Sequence, residues 1–133
     1  MNINELAKEV HALAVAKGWW EKPPSIPEAL CLIHAELSEA LEEYREDKPL
    51  VYGTCALGLS GCEYSGECEM AGHPSEPGVT GPCKPEGIAV ELADVLLRTL
   101  DLMAHLGVDV DAVVMAKHRY NKSREYRHGG KVL

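Results

Sequence analysis

The chain is predicted to be all-α: a bundle of about four helices that assembles as an oligomer, with a long insertion between helices 2 and 3. Three observations carry the all-α reading. Apolar residues recur at helical spacing in four segments, no segment alternates with a period of two, and turn-forming residues stand where the helices should stop. With 133 residues and 46% hydrophobic content, a single domain spanning 1–133 is expected.

The first helix is expected over residues 2–18 (NINELAKEVHALAVAKG), stopping at Gly18. WWEKPP follows as a loop. In SIPE, Ser25 can cap, Pro27 suits a first turn and Glu28 completes an S-x-x-E box, so helix 2 should run from about Ile26 to Arg45. Its apolar face would be Leu30, Ile33, Leu37, Ala40, Leu41 and Tyr44, and Cys31 is expected to be a buried thiol. Residues 49–87 change character, with glycines, prolines, four cysteines and almost no periodicity, and no strand is expected anywhere. A segment of that length inside a small domain points to function, an ordering ligand or disorder. Helix 3 is IAVELADVLLRTLDLMAHL, residues 88–106, ending at Gly107; Asp109 or Asp111 can cap helix 4, which carries VDAVVMAKHRYNKSRE.

Helix 3 looks buried on nearly every side except for one narrow line of Glu91, Asp94, Arg98, Asp101 and His105. So thin a stripe is either the solvent-facing strip of an oligomer's central helix or the lining of a site. On helix 2, Glu36, Glu39 and Glu43 form a similar strip, and Glu91 with Asp94 repeats the i, i+3 offset of Glu36 with Glu39. Side by side, the two helices would gather four carboxylates around one point, an arrangement that repels itself unless a cation compensates. Carboxylates without a histidine at i+3 select Mg²⁺, with Mn²⁺ an alternative, over zinc or a di-iron centre. Either motif alone is a common solvated surface pattern.

The net charge of −8 is unevenly spread: residues 1–116 hold 20 acids and 7 bases, a balance of −13, whereas residues 117–133 hold 1 acid and 6 bases, a balance of +5. An acidic region suits divalent cations, and a basic segment suits a polyanion such as a phosphate chain or is simply solvated. In helix 4, Val110, Val113 and Val114 set an inward face that Lys117, Asn121 and Arg124 continue, so that apolar contact gives way to donors suited to phosphate oxygens. Arg127, His128 and Lys131 are read as solvated or as partners of the helix's negative end. There is no charged and apolar leader, and the most apolar segment is interrupted by four charged residues, so a cytoplasmic protein with no membrane span is expected.

The ordered set E36-L-S-E39, E91-L-A-D94 and K117-x-x-x-N121-x-x-R124 resembles the MazG-like members of the all-α NTP pyrophosphatase superfamily, which also includes dimeric dUTPases and house-cleaning dCTP pyrophosphatases. The resemblance covers helices 2 to 4 and, more loosely, helix 1. It implies a homodimer or homotetramer that hydrolyses a nucleoside triphosphate, standard or modified, to the monophosphate and pyrophosphate with Mg²⁺. Carried over by position, it makes Glu36, Glu39, Glu91 and Asp94 the metal ligands, and Lys117, Asn121 and Arg124 the substrate contacts. Water would attack the α-phosphorus, Glu39 (or Glu36) would act on its proton, and Lys117 and Arg124 would hold the outgoing phosphates. Two departures stand out. Ala35 occupies a position where many members have a glutamate, and removing residues 52–82 would leave 20 residues between the two acidic motifs, which marks 52–83 as an insertion.

Trp19 and Trp20 either stack on a base, with Trp20 the substrate-binding candidate, or fill the core; His11 and His34 are read as packing or surface residues. Cys55, Cys62, Cys68 and Cys83, with His73 between, can hold a structural Zn²⁺, remain free thiols or pair as disulfides; no C-x-x-C knuckle decides among these. Two other classes stay open: a non-catalytic dimerisation module whose cysteine loop grips a metal or partner, and a di-metal redox bundle, which the lack of E-x-x-H disfavours. Overall acidity argues against nucleic-acid binding.

Overall fold

The computed structural model describes residues 1–54 and 84–126. Its elements are α1 (Ile3–Ala16), α2 (Ile26–Arg45), β1 (Tyr52–Thr54), β2 (Lys84–Glu86), α3 (Ile88–His105) and α4 (Val110–Ser123). Four helices dominate, as the periodicity predicts. The expectation of no strand is corrected: β1 and β2 pair antiparallel, with Tyr52 opposite Glu86, Gly53 opposite Pro85 and Thr54 opposite Lys84. Strands of three residues are too short for alternation to register. Among the described residues no helix is long and apolar enough to cross a membrane.

The helix boundaries have local causes. Asn2 caps α1: its side chain accepts from the Glu5 amide at 2.9 Å and the Glu5 carboxylate accepts from the Asn2 amide at 2.9 Å, a reciprocal box worth about 1 kcal/mol. Gly18 (φ 79°) and Gly107 (φ 69°) take the left-handed conformation just past α1 and α3. Asp109 caps α4 through the Ala112 amide and also accepts from Asn4 Nδ2, both at 3.0 Å; those two bonds hold its carboxyl below the ordinary carboxylate value. Helix 4 ends earlier than expected. Ser123 Oγ donates to the Tyr120 carbonyl at 2.7 Å, and Arg124 is already extended (φ −74°, ψ 145°). A serine hydroxyl that takes a terminal carbonyl competes with the next helical turn.

The chain falls into two compact units, Met1–Ser25 with Leu97–Leu133, and Ile26–Leu96. The first holds the apolar core: Ala7, Leu100 and Val110 are buried together, with Ile3, Leu6, Met103 and Ala104 packed against them. The second is different. Ala40 is its sole buried hydrophobic residue among those described, while Leu30, Leu37, Leu41 and Tyr44 of α2 and Leu92 and Leu96 of α3 are exposed. Three expectations are thereby corrected for the single chain. Helix 3 is not covered on nearly every side, Val113 and Val114 of α4 are exposed rather than inward, and Cys31 is an exposed free thiol. A periodic apolar stripe marks a face that favours cover without showing whether the same chain supplies it.

Candidate metal centre

The second unit is poor in buried hydrophobics but buries acid. Glu36 on α2 is 7% exposed and Glu91 on α3 is 9% exposed. With half-buried Asp94 they each bring one carboxylate oxygen to within 4.8 Å of the others, the only such group of metal-ligand residues found among the described residues. The i, i+3 offset stacks Glu91 and Asp94 on one side of α3, as the sequence motif requires. Glu91 lies in the first turn of its helix, where the unpaired amides and the helix dipole favour negative charge. That is not enough to offset its surroundings. Burial, followed by the charges of Glu39, Asp94 and Glu36, pushes the Glu91 carboxyl above its ordinary value, and Lys84 opposes them only weakly.

A hard divalent cation fits this donor set: three oxygen donors on two helices, two of them buried, with their mutual repulsion as the quantity a cation would remove. Glu39 is exposed and stands outside the three. It lines an adjoining open cleft of about 290 Å³ together with Ser38, Glu42, Glu43, Glu86, Glu91 and Lys84. Glu43 is engaged by the ribbon: the Tyr52 hydroxyl donates to its two carboxylate oxygens at 3.1 and 2.9 Å. Burial first, then that bond and the Glu43 charge, push the Tyr52 phenol up to about 12.

Sequence reasoning missed Tyr52, Lys84 and Glu86, because they sit in the stretch without periodicity. Gly87 was the available signal. It adopts φ 111°, and a Cβ there would lie 2.5 Å from the Leu50 carbonyl oxygen, so only glycine fits the turn that joins β2 to α3. The Gly87 carbonyl accepts from the Val90 and Glu91 amides, and the Ala89 amide donates to Leu50. Backbone hydrogen bonds from Leu50 and Gly87, the residues that flank the ribbon, thus hold the start of α3 at the level of Glu91.

The predicted phosphate and base contacts lie in the first unit. Lys117, Asn121 and Arg124 are exposed; the Lys117 ammonium sits 5.0 Å from the Tyr120 ring centroid, and Arg124 has left the helical face expected to carry it. Trp19 is exposed, whereas Trp20 is half-buried and held: its indole N–H donates to Asp101 at 3.0 Å and its ring stacks on His105 with centroids 4.0 Å apart. His11 Nδ1 pairs with the same Asp101 at 2.6 Å and meets Trp20 edge-on, in keeping with a packing role; His34 is exposed. The lower half of the charged stripe therefore serves an aromatic cluster, not a second cage. Cys55, Cys62, Cys68, Cys83 and His73, and Arg127, His128 and Lys131, lie outside the described residues. Comparison with family models, curated proteins and solved structures finds no match to this chain.

Proposed function

We propose that the protein is a Mg²⁺-dependent nucleoside triphosphate pyrophosphohydrolase, releasing a nucleoside monophosphate and pyrophosphate from a standard or modified nucleotide. The observation that carries this reading is the meeting of Glu36, Glu91 and Asp94 within 4.8 Å, two of them buried. Two motifs of two carboxylates each, in this order, with the K-x-x-x-N-x-x-R segment downstream, supply the reaction class by resemblance. Bound Mg²⁺, or Mn²⁺ in its place, supplies Lewis acidity toward water and phosphate oxygens.

The chain's own groups do the rest. Glu36, Glu91 and Asp94 hold the cation. Glu39, exposed in the adjoining cleft, is the carboxylate left over to take a proton from water attacking the α-phosphorus, and it can also ligate. Lys117, Asn121 and Arg124 carry the phosphate contacts the resemblance implies, with Arg124 able to bind two oxygens at once. Trp20, its orientation set by Asp101 and His105, is the candidate for stacking on the base.

The enzyme acts as a homodimer or homotetramer in the cytoplasm. The support for self-association is that the second unit leaves Leu30, Leu37, Leu41 and Tyr44, one stripe of α2, uncovered. The reading is tested by incubating the full chain with a panel of NTPs and dNTPs in ¹⁸O-water, with Mg²⁺ or with chelator. Metal-dependent monophosphate carrying the label, beside unlabelled pyrophosphate, is the expected product. Diphosphate with labelled orthophosphate, or no turnover, would refute it.

A further inference from the structure

Among the described residues that line the cleft beside the carboxylates, Lys84 is the one basic side chain, and the motifs above do not include it. Lys84 lies on β2, just beyond the insertion. Its placement is determined from two sides. Tyr52, paired across the ribbon with Glu86, ties β1 to Glu43 on α2. The Gly87 turn ties β2 to the first turn of α3, where Glu91 sits. A period of two puts Lys84 and Glu86 on one face of β2, and both line the cleft with Glu39 and Glu91.

The Lys84 ammonium donates to Glu86 Oε1 at 3.0 Å, yet its side chain is 74% exposed. An ion pair that wet is weak and exchanges readily for a stronger anion. The pair with Glu86, and more distantly the charges of Glu91 and Glu39, hold the ammonium above its ordinary value, so it stays charged throughout the neutral range. In the metal-free chain Lys84 therefore acts as the internal counter-ion of the cleft. Once divalent cations occupy the carboxylates, that role lapses, and the nearest dense anion is the phosphate chain of a bound nucleotide.

We infer that Lys84 is a substrate-binding residue supplied by the stem of the insertion: it competes with divalent cations for the cleft when no nucleotide is bound, and grips phosphate oxygens when metal and nucleotide are both present. This rests on the carboxylates being a metal site. It gives two effects of opposite sign, which a lysine that merely solubilised the surface would not produce.

The test uses the full chain, wild type and the Lys84→Gln and Lys84→Arg variants, all checked for folding by circular dichroism. Mn²⁺ affinity is measured by counting free Mn²⁺ in electron paramagnetic resonance titrations. Inorganic pyrophosphate affinity is measured calorimetrically at saturating Mg²⁺. Lys84→Gln should bind Mn²⁺ about threefold more tightly and pyrophosphate about tenfold more weakly, with Lys84→Arg close to wild type in both. Wild-type Mn²⁺ binding with pyrophosphate affinity unchanged in Lys84→Gln would overturn this inference and leave the metal centre standing. No Mn²⁺ binding by wild type would overturn the metal centre and this inference with it.

Discussion

Replacing Glu91 by glutamine should stabilise the metal-free protein and weaken the metal-bound one. The carboxylate oxygens of Glu36, Glu91 and Asp94 lie within 4.8 Å of one another, which for unit charges corresponds to about 1 kcal/mol per pair at the dielectric of water and about 3.5 kcal/mol at an effective value of about 20. An amide at position 91 removes two such repulsions and the cost of burying a charged group that is only 9% exposed. Neighbouring groups already relax against that repulsion, so a net gain of about 1–2 kcal/mol is expected, or about 4–8 °C in Tm for a chain of this size. Saturating Mg²⁺ should add about 3 kcal/mol to wild type at a hundredfold excess over its dissociation constant, and little to Glu91→Gln, which has lost a charged ligand. Differential scanning calorimetry of both proteins, with Mg²⁺ and with chelator, reads all four values. If the chelated variant melts below chelated wild type by the same margin as in Mg²⁺, Glu91 is a structural group and the repulsion reasoning is wrong.

Other consequences follow from the same geometry. One of the five tyrosines should titrate at about 12 in a spectrophotometric titration, and Glu43→Gln should bring that value down toward the ordinary one. Because the Tyr52 phenol holds its proton more tightly folded than unfolded, its contribution to stability is complete below about pH 10 and is lost as pH rises through about 12, a window that urea melts at alkaline pH can follow. Gly87→Ala should cost about 3 kcal/mol in urea unfolding, since φ 111° and a Cβ 2.5 Å from the Leu50 oxygen cannot both be accommodated. Asp101→Ala leaves the Trp20 indole N–H and His11 Nδ1 without their shared acceptor, and should cost about 2 kcal/mol and alter the near-ultraviolet circular dichroism of Trp20.

The helices and the acidic centre were legible because each rests on local rules. Ser25, Gly107 and Asp109 mark helix ends by the chemistry of capping, and the structure starts α2 at Ile26 and α4 at Val110 and ends α3 at His105, two residues before Gly107. Glu91 and Asp94 share a side of α3 by helical periodicity alone. What was not legible depends on pairing distant parts of the chain. The ribbon joins residues on either side of the insertion, and a three-residue strand carries too few side chains to announce itself. His11 meets Asp101 across most of the sequence, and neither residue bears a mark of the other. Burial was misjudged for Cys31, Val113 and Val114 because an apolar stripe shows only that a face wants cover, not whether the same chain provides it.

The most direct test of the account is pyrophosphate release by wild type, Glu36→Gln and Asp94→Asn from the nucleotide panel, each with Mg²⁺ and with chelator. Mg²⁺-dependent turnover by wild type is expected, with a loss of at least about a hundredfold in both variants and their folds intact by circular dichroism. Turnover that survives both substitutions, or a folded wild type that hydrolyses no nucleotide in Mg²⁺ or Mn²⁺, would contradict it.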